Sequence, residues 1–213
     1  MIYVHGDAFA AASYAVSPYT SAIEDPVHYL KGNVPHPKNL EVSFAKFLSN
    51  VFHQPLNLAA VNSICHAKIF RETIEAIENT HRIRYVVITW PDFFRGEVWE
   101  NGKNIQFSFE NRVNFLNTPA IDTYIQNFSL HTAHSEFNRM LEELCILMDE
   151  REIQYTMLMS NSQVDAKFGK WTLNPISNNI TKWAEPQGLL NSANCLTSKG
   201  HIELAKLLIQ YLT

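Results

Sequence analysis

The stretch MIYVHGDAFAAASY, residues 1–14, decides the fold, because a short β-type run leads directly into a turn made of Gly6 and Asp7. Ile2 to His5 is rich in residues that favour strands, and small residues follow the turn. A strand, a Gly-Asp turn and a helix often present a nucleophile at the edge of a sheet. The next residue is Ala8, whose methyl group has no nucleophilic atom. The sequence therefore predicts the shape of a catalytic turn without its reacting group.

The composition is that of a globular domain with a substantial core. The chain has 213 residues, of which 46% are hydrophobic and 18% are charged. Its formal net charge of −4 disfavours generic binding to nucleic-acid phosphates. No apolar run reaches about 18 residues, and the start lacks the basic and long apolar regions of a signal peptide. We therefore expect neither a nucleic acid nor a membrane as partner.

Neither cysteines nor histidines form a recognisable metal or disulfide motif. The chain has three cysteines, Cys65, Cys145 and Cys195. An odd, widely spaced set without CxxC argues against a disulfide framework or a zinc ribbon and favours a reducing compartment. His131 and His134 share a predicted helix with Glu136 close by, but no third ligand is evident, so no metal site is expected.

Four short apolar runs alternate with helical patterns. The runs are Ile2–His5, Pro55–Ala60, Ile83–Trp90 and Ile153–Ser160. Apolar spacing predicts helices over residues 39–51, 67–80, 128–150 and 198–212, with Asn39 and Ser198 as N-caps. This alternation predicts a parallel sheet covered on both faces, with ligands at the carboxyl ends of its strands. We expect one domain over 1–213, with an insertion at about 91–119 that forms a hairpin around Asn101-Gly102.

Four segments at these positions resemble the sequence blocks of the SGNH (GDSL-type) hydrolases, in the family's order and over essentially the whole chain. They are VHGDAFA, NLAAVNS, VVITWPDFF and SANCLTSKGHIELAKLL. The segments AVSPY and PHPKNLEVSFAKFL resemble SGNH-like proteins encoded by marine bacteriophages more closely. The resemblance implies a three-layer α/β/α SGNH-hydrolase (flavodoxin-like) fold with a central, mostly parallel sheet. With a reducing compartment, it also implies a cytoplasmic or virion-associated protein.

The reaction that the resemblance implies is acyl transfer, in which a serine attacks an ester, a histidine takes its proton and an aspartate orients the histidine. Asp7 matches the first block, but Ala8 occupies the serine position. Counted back from the Gly-His pair of the last block, the histidine position is Cys195 and the aspartate position is Ser192. The resemblance thus implies that nucleophile, base and orienting carboxylate are all replaced.

The resemblance places the family's two further oxyanion-hole groups at about Asn62 and Asp92, each within one residue. Asn62 replaces a glycine and keeps a backbone N–H donor. Asp92 replaces an asparagine, and an ionised carboxylate there would repel an oxyanion. Losing a triad member leaves only roughly 10³ to 10⁴ of acceleration over water, and losing a side-chain oxyanion donor costs roughly another 10² to 10³.

These replacements predict a non-catalytic SGNH-like protein, of phage origin, that keeps a pocket for an unknown ligand or protein partner and uses no cofactor. A single laboratory exchange at position 8 would not also install Cys195, Ser192 and Asp92. Two alternatives stay open. One is an ester or acetyl-carbohydrate hydrolase with a non-standard site, in which Cys195 is the nucleophile and His66 or His201 the base. The other is a structural or assembly component.

Overall fold

A computed structural model describes residues 1–13, 15–16, 37–61, 64–109, 118–160 and 179–213. Its strands are β1 (Ile2–Gly6), β2 (Leu56–Leu58), β3 (Tyr85–Trp90), β4 (Arg95–Glu100), β5 (Lys103–Ser108) and β6 (Gln154–Met159). Its α-helices are α1 (Pro37–Glu41), α2 (Phe44–Phe52), α3 (His66–Asn79), α4 (Pro119–Gln126), α5 (Leu130–Glu150), α6 (Ile180–Ala184) and α7 (Ser198–Leu212). Within the described ranges, none of these helices combines the length and the apolar character needed to cross a membrane.

One parallel sheet lies at the centre, with strand order β2-β1-β3-β6. Every residue of β1 and β3 is buried, which is typical of a parallel sheet covered on both faces. Strand β1 pairs with β2 on one side and with β3, the next strand of this sheet along the chain, on the other. The topological switch point therefore lies between β1 and β3, and the ligand crevice of such sheets lies outside their carboxyl ends. Asp7 and Asp92 follow those two ends in sequence.

Alternate residues of the strands point into two separate cores, because successive side chains of a strand face opposite sides of the sheet. One core packs Val4 and Val87 against α2 and α7. The other packs Tyr3, Val86 and Ile88 against α3 and α5. Burying a large apolar side chain stabilises the fold by about 1.5–3 kcal/mol, so both helical layers are firmly attached. The predicted three-layer α/β/α architecture with a mostly parallel central sheet is confirmed.

The predicted hairpin is also confirmed. Strands β4 and β5 pair antiparallel and join at Asn101 and Gly102, whose φ angles are 51° and 74°. Positive φ at both positions is the geometry that Asn-Gly favours in two-residue hairpins. The hairpin packs on α4 through a small third core of Val98, Phe107 and Ile121. This packing fixes the hairpin next to the segment that follows the carboxyl end of β3.

Two helix N-caps differ from those predicted. Asn39 lies inside α1, and Ser43 caps α2, with its hydroxyl oxygen 3.1 Å from the backbone N–H three residues on. Thr197, instead of Ser198, caps α7 in the same way, also at 3.1 Å. In each case a neighbouring polar residue fits the local pattern equally well. Tertiary packing decides which residue takes the cap. The prediction of Asn39 was therefore wrong by four positions, and that of Ser198 by one.

Candidate functional site

Gly6 ends β1 and lets β1 and β3 approach each other closely. Its φ is 140°, and a Cβ atom on it would lie 2.2 Å from Thr89 Oγ1 and 2.3 Å from Thr89 O. A side chain therefore meets both a steric clash and an unfavourable backbone conformation. Glycine here brings the start of the following turn directly against the end of β3.

Asp7 joins three elements at the carboxyl edge of the sheet. Its Oδ1 accepts hydrogen bonds from Phe9 N at 3.1 Å, Thr89 Oγ1 at 3.1 Å and Ser160 Oγ at 2.7 Å. The residue is only 2% exposed. Burial raises the pKa of this carboxyl, while the Arg95 charge and the three hydrogen bonds act against that rise. Asp7 is thus a structural brace between the first turn, β3 and the end of β6.

The described residues directly after Asp7 form one helical turn. Ala11 N donates to Asp7 O and Ser13 N donates to Ala8 O, both at 2.9 Å. Ala12 then adopts a φ of 51°, which ends the turn. Ala8 lies at its start and is half-buried.

Asp92 is turned toward its own loop and toward an arginine. Its Oδ1 accepts a hydrogen bond from Phe94 N at 2.9 Å, and its Oδ2 lies 3.6 Å from Arg95 Nε. The side chain is 35% exposed. A carboxylate paired with a guanidinium presents less negative charge to its surroundings than the sequence alone suggested.

Arg95 is the charged residue that sequence reasoning missed. It starts β4, and its side chain is only 18% exposed. Its positive charge acts to lower the pKa of both Asp7 and Cys195, so it lies within electrostatic range of both groups. The signal was an arginine directly after the third block, in PDFFR, but an arginine there is equally typical of a solvated loop. Only the fold shows that it lies among buried groups.

Cys195 lies in a tight loop that is held by one asparagine. Asn191 Oδ1 accepts hydrogen bonds from Ala193 N at 2.9 Å and Cys195 N at 3.1 Å, and Asn191 N donates to Cys195 O at 2.9 Å. Ser192 is exposed on the outside of this loop. Cys195 is 7% exposed, so the loop directs its side chain inward and leaves Ser192 at the surface.

The Cys195 thiol is held in its protonated form. Burial first, and then the Asp7 charge, raise its pKa to about 12. Its Sγ makes a weak hydrogen bond to Ala193 O at 3.6 Å. Because the Asp7 charge acts on the thiol, Cys195 and Asp7 lie within electrostatic range of each other. Ala8 directly follows Asp7 in sequence. Asp92 pairs with Arg95, whose charge acts on both Asp7 and Cys195. The structure thus relates four of the six predicted positions to one edge of the sheet.

The two histidines considered as bases for Cys195 are engaged elsewhere. His66 Nε2 donates to Pro91 O at 3.0 Å, and its ring packs among aromatic side chains. His201 Nδ1 accepts from Phe44 N at 3.4 Å. Burial lowers the pKa of each imidazole to about 3. Both rings are therefore neutral and act as structural hydrogen-bonding groups.

The other two predicted positions are Asn62 and Ser192. Asn62 lies outside the described residues; the last described residue before it, Val61, donates its N–H to Gly6 O at 3.0 Å. Ser192 lies at the surface. His131 is exposed, and His134 packs against Phe93 with ring centroids 5.7 Å apart. In the part of the chain that the structure describes, no group of three or more His, Cys, Asp and Glu side chains is placed to hold a metal ion.

Comparisons with known proteins find structural similarity and no sequence match. Neither a protein-family model nor a curated protein matches the sequence. The chain is similar to the psychrotrophic esterase EstA from Pseudoalteromonas sp., in a structure inhibited by monoethylphosphonate, with 9% identity, a TM-score of 0.49 and coverage of 99% of this chain and 95% of that chain. It is similar to a protein assigned to the G-D-S-L lipolytic family of Desulfitobacterium hafniense, with 9% identity, a TM-score of 0.45 and coverage of 99% and 98%.

A third similar structure is a carbohydrate esterase whose active site is described as having divergent catalytic and non-catalytic binding functions. Its identity to this chain is 13% and its TM-score 0.46, with coverage of 99% of this chain and 67% of that chain. At these identities the chemistry of the present chain has to be judged from its own side chains.

Proposed function

We propose that this chain is a non-catalytic SGNH-like protein, of phage origin, that binds a ligand or a partner at the carboxyl edge of its sheet. The observation that carries the proposal is the side-chain chemistry at that edge. Ala8 offers a methyl group, Cys195 a buried thiol with a pKa of about 12, and Ser192 an exposed hydroxyl. The methyl group cannot attack an ester, and the protonated thiol cannot take a proton at neutral pH. The hydroxyl cannot orient a base as a carboxylate does.

The thiol alternative lacks an activated nucleophile. A thiol with a pKa of about 12 is ionised only to roughly one part in 10⁵ at pH 7. Reactive cysteines need a low pKa and an electropositive, accessible environment. Here burial and the Asp7 carboxylate both act in the opposite direction. The four sequence blocks and the phage-type segments support the family and origin in this proposal, and the replaced residues support the loss of catalysis.

The test is hydrolysis of a short ester. Purified protein is incubated with p-nitrophenyl acetate beside a buffer control and a Cys195→Ala variant. We expect no turnover above buffer in either protein, because neither has a nucleophile with a neighbouring base. Turnover that disappears in Cys195→Ala would overturn the proposal in favour of the thiol hydrolase. Turnover that survives in Cys195→Ala would overturn it in favour of a nucleophile elsewhere.

A further inference from the structure

We infer that a cavity beside β4 binds a small monocarboxylate through Arg95. The cavity has a volume of about 230 Å³ and lies between the N-terminus of α3, the start of β4, α4 and α5. We call it the Arg95 cavity; the lining residues that matter here are Ala67, Phe93, Arg95, Glu97, Tyr124 and Met140. The inference rests on the proposed function, because it takes the chain to hold a ligand without converting it.

Arg95 lines this cavity, and its guanidinium is paired with Asp92 by charge but is short of hydrogen-bond acceptors. Its Nε and Nη1 are buried and have no hydrogen-bond acceptor within the described parts of the chain. The nearest carboxylate oxygen, Asp92 Oδ2, lies 3.6 Å from Nε, which is longer than a hydrogen bond. Buried donors without acceptors are costly, and a guanidinium most favours the two oxygens of a carboxylate. Nε and Nη1 are themselves closed to solvent, so a carboxylate in the cavity meets the guanidinium through the 18% of the side chain that is exposed.

The other charges around the cavity favour one negative charge on the ligand. Glu97 is already paired with Arg71, whose Nη2 lies 2.9 Å from Oε2, and it also accepts from Asn104 Nδ2 at 2.9 Å. Glu136 stands at the exposed rim, and Asp92 faces Arg95. These carboxylates would repel a dianion such as phosphate more strongly than a monoanion.

The remaining walls favour a compact apolar body. Phe93 is 3% exposed and Met140 9% exposed, and the Tyr124 ring completes this side. His66 adds no charge, because burial lowers its pKa to about 3. The N-terminus of α3, where Cys65 provides no side-chain cap, adds a favourable field for an anion. The volume is below that of drug-sized sites, so the ligand is a small acid such as an aromatic monocarboxylate.

Titration with sodium benzoate, followed by amide resonances of the ¹⁵N-labelled full chain, tests this inference. We expect saturable shifts at the amides of Ala67 and Gly96, with concentrations up to about 20 mM covering the weak affinity of so small a ligand. Arg95→Met should weaken binding at least about tenfold, because a charged hydrogen-bonding partner is lost. Arg139→Met, which removes an exposed arginine paired with Glu143 on α5, is the matched control and should bind as the parent does.

A second variant protects the test against misfolding of Arg95→Met. Ala67→Leu fills the cavity from the first turn of α3 and leaves the guanidinium in place, and it should also weaken benzoate binding. Benzamide, which is uncharged, should bind at least about tenfold more weakly than benzoate. No saturable shift at these amides, undiminished binding by both variants, or tighter binding of inorganic phosphate would each overturn the inference. Ester hydrolysis would instead overturn the proposed function and leave the carboxylate site to stand on these shifts.

Discussion

At the scale of single residues, Asp7 shows how one buried carboxylate can hold several segments of the chain together. The carboxylate accepts from a backbone N–H and from two hydroxyl groups, on Thr89 and Ser160. These bonds connect segments that are distant in sequence. The local structure therefore depends on an aspartate at position 7, independently of any chemistry at position 8.

Burial of Asp7 leads to a pH-dependent stability. Its folded pKa is raised above the ordinary value of 3.8, so its contribution to stability is fully present below about pH 3.8 and is lost as the pH rises through the folded pKa. Asp7→Asn keeps the Oδ1 acceptor and removes the ionisation. We expect the free energy of unfolding of Asp7→Asn, relative to the parent, to increase as the pH rises from about 3.8 through the folded pKa.

Urea denaturation of both proteins at a series of pH values measures this difference. All other titrating groups are common to the two proteins, so their contributions largely cancel in the comparison. A difference that stays constant from pH 3 to pH 8, or that decreases, would show that the folded pKa of Asp7 is not raised.

Arg95 illustrates what a residue pattern cannot show. The sequence placed Asp92 at an oxyanion position, where its charge would be repulsive, and this assignment stays a prediction. The structure adds that the Asp92 carboxylate turns toward Phe94 N and Arg95. The arginine gains its importance from burial and from its distance to side chains far away in sequence, and neither property is encoded by local spacing.

At the scale of elements, the pairing of β1 with β3 depends on Gly6. The register sets Gly6 beside Thr89, and a Cβ atom would clash with both the backbone and the side chain of that residue. Gly6→Ala should therefore cost about 4 kcal/mol or more, because strand separation is added to an unfavourable φ. Gly102→Ala is the matched control: its φ is 74°, nothing lies within 4 Å of the added methyl, and the backbone term alone should cost about 1–2 kcal/mol.

Chemical denaturation of the two glycine variants separates these terms. Equal losses of stability in Gly6→Ala and Gly102→Ala would mean that the close approach of β1 and β3 is not needed for the fold. A much larger loss in Gly6→Ala would show that the carboxyl edge is positioned by strand contact and not by the turn alone.

Strands were predicted better than helix starts, and for a physical reason. Ile83 to Trp90 reads as a strand because a parallel strand buried on both faces needs a continuous apolar run, and β3 occupies Tyr85–Trp90. Helix caps depend on one hydroxyl contacting one N–H. Thr197 and Ser198 are both good N-caps by sequence, and Thr197 takes the position while its hydroxyl also reaches Leu189 O at 3.1 Å. That second contact is tertiary and has no local signature.

At the scale of the whole molecule, alternation of strands and helices was enough to predict the layers. Strand order then follows from the topology of the parallel sheet, and it locates the crevice between β1 and β3. The site was harder to predict from the sequence, because its chemistry depends on the conformation of loops. The 190–196 loop is shaped by hydrogen bonds to Asn191, and this decides that Cys195 points inward while Ser192 is exposed. Asn62 lies outside the described residues, so its assignment stays a prediction.

If the scaffold has kept the geometry of the hydrolases that its sequence resembles, catalysis should return only when several groups are replaced together. Ala8→Ser alone supplies a hydroxyl without a base, and a serine at its free pKa is a weak nucleophile. Adding Cys195→His supplies the base, but the orienting carboxylate, whose loss costs roughly 10⁴ in a known triad, is still missing. Ser192→Asp and Asp92→Asn supply the carboxylate and an uncharged oxyanion donor. We therefore expect weak esterase activity only in the quadruple variant.

Each variant is assayed on p-nitrophenyl acetate after its fold has been checked by circular dichroism and thermal unfolding. The structure gives two reasons for weak activity even in the quadruple variant. Ser192 is exposed, so an aspartate there has to turn inward to reach a histidine at position 195, and Asp92→Asn removes the carboxylate that faces Arg95. Activity with Ala8→Ser alone would contradict the prediction, because it would require an existing base beside position 8. The chain would then be a serine hydrolase that lacks only its nucleophile, and the Cys195 thiol, with its pKa of about 12, would be a bystander in that reaction.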